Sequence, residues 1–164
     1  MRECGLSINT FTISFFGHRI TENPLLIEKR LESIIRYLLQ EKEYVVFQVC
    51  RDGEFDQTVS STICRCKRTI RDDNSAHVWV LPYETAAYRE NEEAFLNYYD
   101  EITICEASAK VHYKRAYQIR NQEMVKKSDL VIFYVQHESG GAWQTMRYTR
   151  RLGTPYLNIG SEKY

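Results

Sequence analysis

Six short runs of mainly apolar, β-branched and aromatic residues recur along the chain: FTISFF from Phe11, YVVFQVC from Tyr44, HVWVLP from His77, EITIC from Glu101, LVIFYV from Leu130 and PYLNI from Pro155. Helical stretches separate them, and this alternation predicts a parallel sheet with crossover helices. Several runs are continuously apolar, as strands are when helices cover both faces of a sheet. The predicted fold class is therefore α/β, a three-layer sandwich with a mainly parallel sheet of five to six strands.

The helix signals are local. Asn23 reads as a cap and Pro24 as the first helical residue, with Ile27, Leu31, Ile34 and Leu38 following at core-facing spacing. A second helix is expected over 55–70 and a third over 114–127. A last one follows Ser139-Gly140-Gly141, closed by Gly153 with Pro155 beyond it. The least regular stretch runs from Pro82 to Tyr113, where a short helix is expected around 90–98 and a mobile loop near 107–111. Its tyrosines at 83, 88, 98 and 99 have two readings, stacking on a ligand base or half-buried packing.

With 164 residues, 43% of them apolar, the chain fits one globular domain over 1–164. Acids and bases balance at 22 each. That balance disfavours a nucleic-acid partner, which would select a basic face, and a polybasic membrane anchor. No apolar run is long enough to cross a membrane, and the N-terminal segment MRECGLSINT lacks the apolar core of a signal peptide, so a cytoplasmic location without a membrane partner is expected. Five cysteines at 4, 50, 64, 66 and 105 contain no Cys-x-x-Cys pair, which suggests neither a disulfide framework nor a zinc site. Cys50 and Cys105 end strand runs and are expected to pack as small hydrophobes.

In an open parallel sheet, ligands bind beyond the carboxyl ends of the strands, so candidate chemistry is sought at the strand exits. The first gives Gly17-His18-Arg19, the second Arg51-Asp52-Gly53-Glu54-Phe55-Asp56, and the fifth His137-Glu138-Ser139-Gly140-Gly141. Gly140 and Gly141 at a helix start can present bare amides to an anion, and Arg19 can add a bidentate phosphate contact. His18 is expected to hydrogen-bond the ligand. Glu54 and Asp56 would accept hydrogen bonds from ribose hydroxyls or a base, although Asp56 fits equally as a first-turn residue favoured by the helix dipole.

These residues carry a resemblance. FFGHR, DGEFD, RNQEMVKKSDLVIFYVQHESGGA and GTPYLNIG, in this order, resemble the SLOG superfamily, the Rossmann-like group named for the DNA-processing protein Smf/DprA and the cytokinin-activating enzyme LOG, in its small YpsA-like branch. The likeness covers about 11–160. It implies a Rossmann-like fold and a nucleotide or nucleotide-derived ligand at the ends of the first, second and fifth strands; separately, no cofactor or metal is expected. The family motifs fall on Gly17, His18 and Arg19, on Gly53, Phe55 and Asp56, on Arg120, Asn121 and Met124, and on Gly140 and Gly141. Asp129 also matches but stands at the opposite end of its strand, where it reads as a structural cap.

LOG-type enzymes, which cleave the N-glycosidic bond of nucleoside monophosphates, carry Pro-Gly-Gly-x-Gly-Thr-x-x-Glu at the last loop and helix. Against that pattern Ser139 replaces the proline, Trp143 the third glycine, Gln144 the threonine and Arg147 the catalytic glutamate. A guanidinium cannot manage an oxocarbenium-like transition state as a carboxylate does. The resulting expectation is a nucleotide-binding protein, with Ser139 and Arg147 added to the ligand-binding set and catalysis left open. The alternatives are a LOG-type N-glycosidase working through Asp56 or Glu54, and a nucleic-acid-binding module. Self-association as a homo-oligomer is also left open.

Overall fold

A computed structural model describes residues 8–162. Six strands, β1 (Thr10–Gly17), β2 (Tyr44–Val49), β3 (Ser75–Leu81), β4 (Glu101–Ile104), β5 (Leu130–Tyr134) and β6 (Tyr156–Asn158), form one sheet in the order β4-β3-β2-β1-β5-β6. Every pairing is parallel. This is a three-layer, Rossmann-like α/β fold.

The helices are α1 (Pro24–Glu41), α2 (Glu54–Thr69), α3 (Ala86–Glu90), α4 (Glu92–Tyr98), α5 (Glu106–Ala109), α6 (Tyr113–Lys126) and α7 (Gly141–Leu152). Alternate strand residues feed two cores. Ile13, Phe15, Val45, Phe47, Ile132 and Tyr134 pack with α1 and α2, whereas Phe16, Val131, Phe133 and Val135 pack with Met124 and Val125 of α6 and Met146 of α7. Burial on both faces explains why the strands read as apolar runs.

Three local expectations are revised. Asn23 does not cap α1 through its side chain; it takes a left-handed conformation with φ of 50°, and its carbonyl accepts from Leu26 and Ile27. Asn tolerates this region better than most residues, so its value here is the turn. The buried stripe of α1 runs through Ile27, Leu31, Ile35, Leu38 and Leu39, leaving Ile34 half-buried. The stretch expected as a mobile loop near 107–111 contains α5, where the buried Ser108 hydroxyl donates to the Pro82 carbonyl at 2.5 Å and the Cys105 carbonyl at 3.1 Å.

Gly153 closes α7 with φ of 84°. Asp129 ties the amino end of β5 to β1: its carboxylate accepts from the Thr12 amide and its own amide donates to the Thr12 carbonyl, each at 2.8 Å. Cys50 is buried and Cys105 lies against the second core, while Cys4 falls outside the described residues. Among the described residues, no helix is long and apolar enough to cross a membrane.

Candidate functional site

Connections β1 to β4 step across the sheet in one direction, and β5 and β6 lie on the other side of β1. Loops therefore diverge between the carboxyl ends of β1 and β5 and leave a crevice. A cavity of about 430 Å³ lies there, lined by Gly17, His18 and Arg19 after β1, Asp56 of α2, Arg120 and Asn121 of α6, and Ser139, Gly140 and Gly141 at the start of α7. Nine residues expected at the site thus meet at one cavity. Asp52, Cys50, Tyr117, Gln118 and His137 join them.

The other three expected residues lie outside its lining. Gly53 presses against the Arg19 backbone, where an added Cβ would stand 2.6 Å from the Arg19 Cα, and the Glu54 amide donates to the Arg19 carbonyl at 2.8 Å. Glu54 turns to the α1 side and accepts from the Thr21 amide at 2.9 Å. Arg147 is exposed on α7 with its guanidinium 6.0 Å from the Trp143 ring centre, and of the four replacements in the LOG-type motif Ser139 lines the cavity while Trp143, Gln144 and Arg147 do not. The α7 side chain turned toward α6 is Thr145, which accepts from Asn121 at 3.0 Å and donates to the Gly141 carbonyl at 2.9 Å.

Gly17 owes its identity to packing. A Cβ there would lie 2.3 Å from Cδ1 of the buried Phe55. The next residue pins the neighbouring loop, because the Gln136 and His137 amides donate to His18 Nε2 at 3.0 and 3.4 Å. An amide can only donate, so Nε2 is unprotonated and the neutral ring carries its proton on Nδ1. The His18 and His137 rings stack at 3.8 Å and 1°. Burial first, and the charge of a protonated His137 second, hold His18 below its ordinary value of 6.5. His137 in turn reaches the Ser139 hydroxyl with Nδ1 at 2.7 Å. Gly140 then takes φ of 89°, a conformation that favours glycine, and α7 begins. Its first-turn amides lack intrahelical acceptors, which makes this end of the cavity electropositive.

The floor is a charge cluster. Arg120 is 1% exposed, and its guanidinium donates to Asp52 Oδ2 at 2.7 Å, to the Asn121 amide oxygen at 3.0 and 3.1 Å, and to the Val80 carbonyl at 3.3 Å. Asp56 is also buried, and its Oδ2 accepts from the Asp52 amide at 2.8 Å. Burial, reinforced by the Asp52 charge, raises the Asp56 carboxyl to about 7. Burial also pushes the Cys50 thiol well up, so it remains protonated. The cavity therefore offers amides to an anion at its α7 end, an arginine at its rim, and two carboxyl groups on its floor. Among the described residues, no group of three or more His, Cys, Asp or Glu side chains could hold a metal ion.

Asp52 was within reach of sequence reasoning, since it stands in the second strand exit between singled-out neighbours. Tyr117 had a signal too: it precedes Arg120 by three helical positions, and its ring centre lies 5.1 Å from that guanidinium. Cys50 and Gln118 carry no pattern that marks them.

No protein-family model matches the sequence, and no curated protein matches it. Solved structures do share its fold. DNA processing protein A from Helicobacter pylori, described for its single-stranded DNA binding mode, is 11% identical with a TM-score of 0.61, covering 89% of this chain and 63% of that one. DNA processing protein A (DprA) from Streptococcus pneumoniae is 13% identical with a TM-score of 0.64, covering 93% and 52%. A structural-genomics target named TM1055 is 13% identical with a TM-score of 0.58, covering 89% and 72%. The chain thus spans between half and two thirds of the length of the two DNA-processing proteins.

Proposed function

We propose that this chain is a SLOG-superfamily module of the YpsA-like kind that binds a nucleotide or nucleotide-derived small molecule at the carboxyl edge of its sheet. The observation that carries the reading is the polarity of the cavity: the amino end of α7 at Gly140-Gly141 on one side, and the Asp52–Asp56 carboxyl pair on the other. A phosphate is favoured at the first and disfavoured at the second, where hydroxyl groups find acceptors. Arg19 at the rim supplies a further phosphate contact. Thermal-shift measurement against a panel of nucleoside mono- and diphosphates tests this. A ligand at about 100 times its dissociation constant adds about 2.7 kcal/mol of stability. No shift with any member of the panel contradicts the reading.

Two other readings each have an observation behind them. Asp56, with a carboxyl near 7 inside the cavity, suits a general acid for N-glycosidic cleavage. Release of free base from AMP, abolished in Asp56→Ala, would establish that activity. The fold shared with DNA-processing proteins favours a single-stranded nucleic-acid ligand. Against it stand the overall charge balance and the acidic floor, and filter binding of single-stranded DNA across a salt series decides the matter.

A further inference from the structure

Beyond the Asp52–Arg120 pair, the crevice continues into a second cavity of about 440 Å³. Asp52, Tyr117 and Arg120 line both spaces, so the two meet at this ion pair. The chemistry changes across the junction. The first space offers amides, a rim arginine and carboxyl groups; the second is walled by Trp79, Tyr83, Phe95 and Tyr117. Arg51 adds a flat cation, its guanidinium 5.0 Å from the centre of the Phe95 ring and bonded to the Tyr99 hydroxyl at 3.2 Å. Tyr83 meets the Tyr117 ring edge-on at 6.1 Å. Aromatic faces and an arginine plane around an open space are what a planar heteroaromatic ring stacks on.

We infer that this aromatic lobe takes the base of a nucleotide whose phosphate lies at Gly140-Gly141, with the sugar passing over Asp52. The inference rests on the nucleotide reading above and fixes the direction in which the ligand lies. Asp52 decides that direction. Its carboxylate, with the side chain 31% exposed at the junction, accepts from sugar hydroxyls and repels a phosphate, which leaves the α7 end for the anion. The lobe's volume lies within the range of small-molecule sites. Of the irregular segment's tyrosines, Tyr83 alone lines this lobe; Tyr98 and Tyr99 border the neighbouring cleft beside α2, on the far side of Arg51 and Phe95, which line both.

The test compares AMP with ribose 5-phosphate by calorimetric titration of the wild type and of Tyr83→Ala. A second readout uses the emission of Trp79 in a Trp143→Phe background, where it is the remaining tryptophan. AMP is expected to bind at least tenfold tighter than ribose 5-phosphate and to quench Trp79. Tyr83→Ala is expected to weaken AMP by about tenfold, as one lost stacking contact does, while leaving ribose 5-phosphate unchanged. Equal affinity for the two probes, or unchanged Trp79 emission on AMP binding, overturns the base lobe and leaves the nucleotide reading standing. Binding of neither probe overturns both.

Discussion

Arg120 Nη2 lies 2.7 Å from Asp52 Oδ2, joining α6 to the β2–α2 loop beneath the cavity. Arg120 is almost fully buried, whereas the Asp52 side chain is 31% exposed, so the arginine depends on the pair far more than the aspartate does. Removing one partner of a buried pair leaves an uncompensated charge, which costs about 3–5 kcal/mol. Asp52→Ala is therefore expected to lower unfolding stability in urea by a value near that range. A loss under 1 kcal/mol would mean that Asn121 and Val80 suffice to hold the guanidinium.

Asp56 makes stability depend on pH in a definite direction. Unfolded, its carboxyl ionises near the usual value of about 3.9. Folded, it keeps its proton to about 7. Between these values the native state binds more protons than the unfolded state, so the contribution of Asp56 falls as pH rises through that window and levels off above it. His77, pushed down by burial to about 4, acts in the opposite sense between its folded value and 6.5, but it cancels when variant and wild type are compared at the same pH. Asp56→Asn is accordingly expected to gain stability relative to wild type at pH 8 compared with pH 4.5. A difference that does not change with pH would contradict the raised carboxyl.

Gly17→Ala tests why β1 ends in glycine. The Cβ would overlap the Phe55 ring, and both residues are held by the sheet and α2. Overpacking of this kind typically costs about 1–3 kcal/mol. Trimming the ring in Gly17→Ala/Phe55→Ala should make the second alanine less costly than the first alone implies. Strict additivity of the two losses in chemical denaturation would rule out the contact as the cause.

The strands and their exits are legible in the sequence because covered faces leave apolar runs, and because glycines beside charged residues mark where those runs stop. Asp52 stands in one of those exits, but its pairing with Arg120, 68 residues further on, is not legible there. The orientation of Arg147 is not legible from a motif alignment either. The buried face of α7 is set by Ala142, Thr145, Met146 and Thr149, which turns Trp143 and Arg147 aside. Glu54 and Asp56 are two positions apart on a helix and so face different ways: both border the cleft beside α2, but only Asp56 also reaches the cavity at Gly140-Gly141.

That orientation bears on activity. With no carboxylate directed into the cavity from α7, AMP is expected to remain intact in the presence of the protein. Chromatography of free adenine over time checks this. Turnover at a typical enzymatic rate of about 1 per second or more would instead assign catalysis to the carboxyl groups of α2 and its loop.

Arg19→Ala should weaken a phosphorylated ligand more than Asp56→Asn does, because a charge-assisted phosphate contact typically outweighs one hydrogen bond to a neutral hydroxyl. Isothermal titration of both variants with AMP measures the two losses. The reverse order would exchange the phosphate and sugar ends of the cavity.

Backbone amide shifts during an NMR titration with AMP test the central claim most directly, because they report where the ligand sits without relying on any substitution. The account predicts saturable shifts that are largest at Gly140, Gly141, His18 and Asp52. Saturable shifts centred away from the carboxyl edge, or none at millimolar AMP, would contradict it.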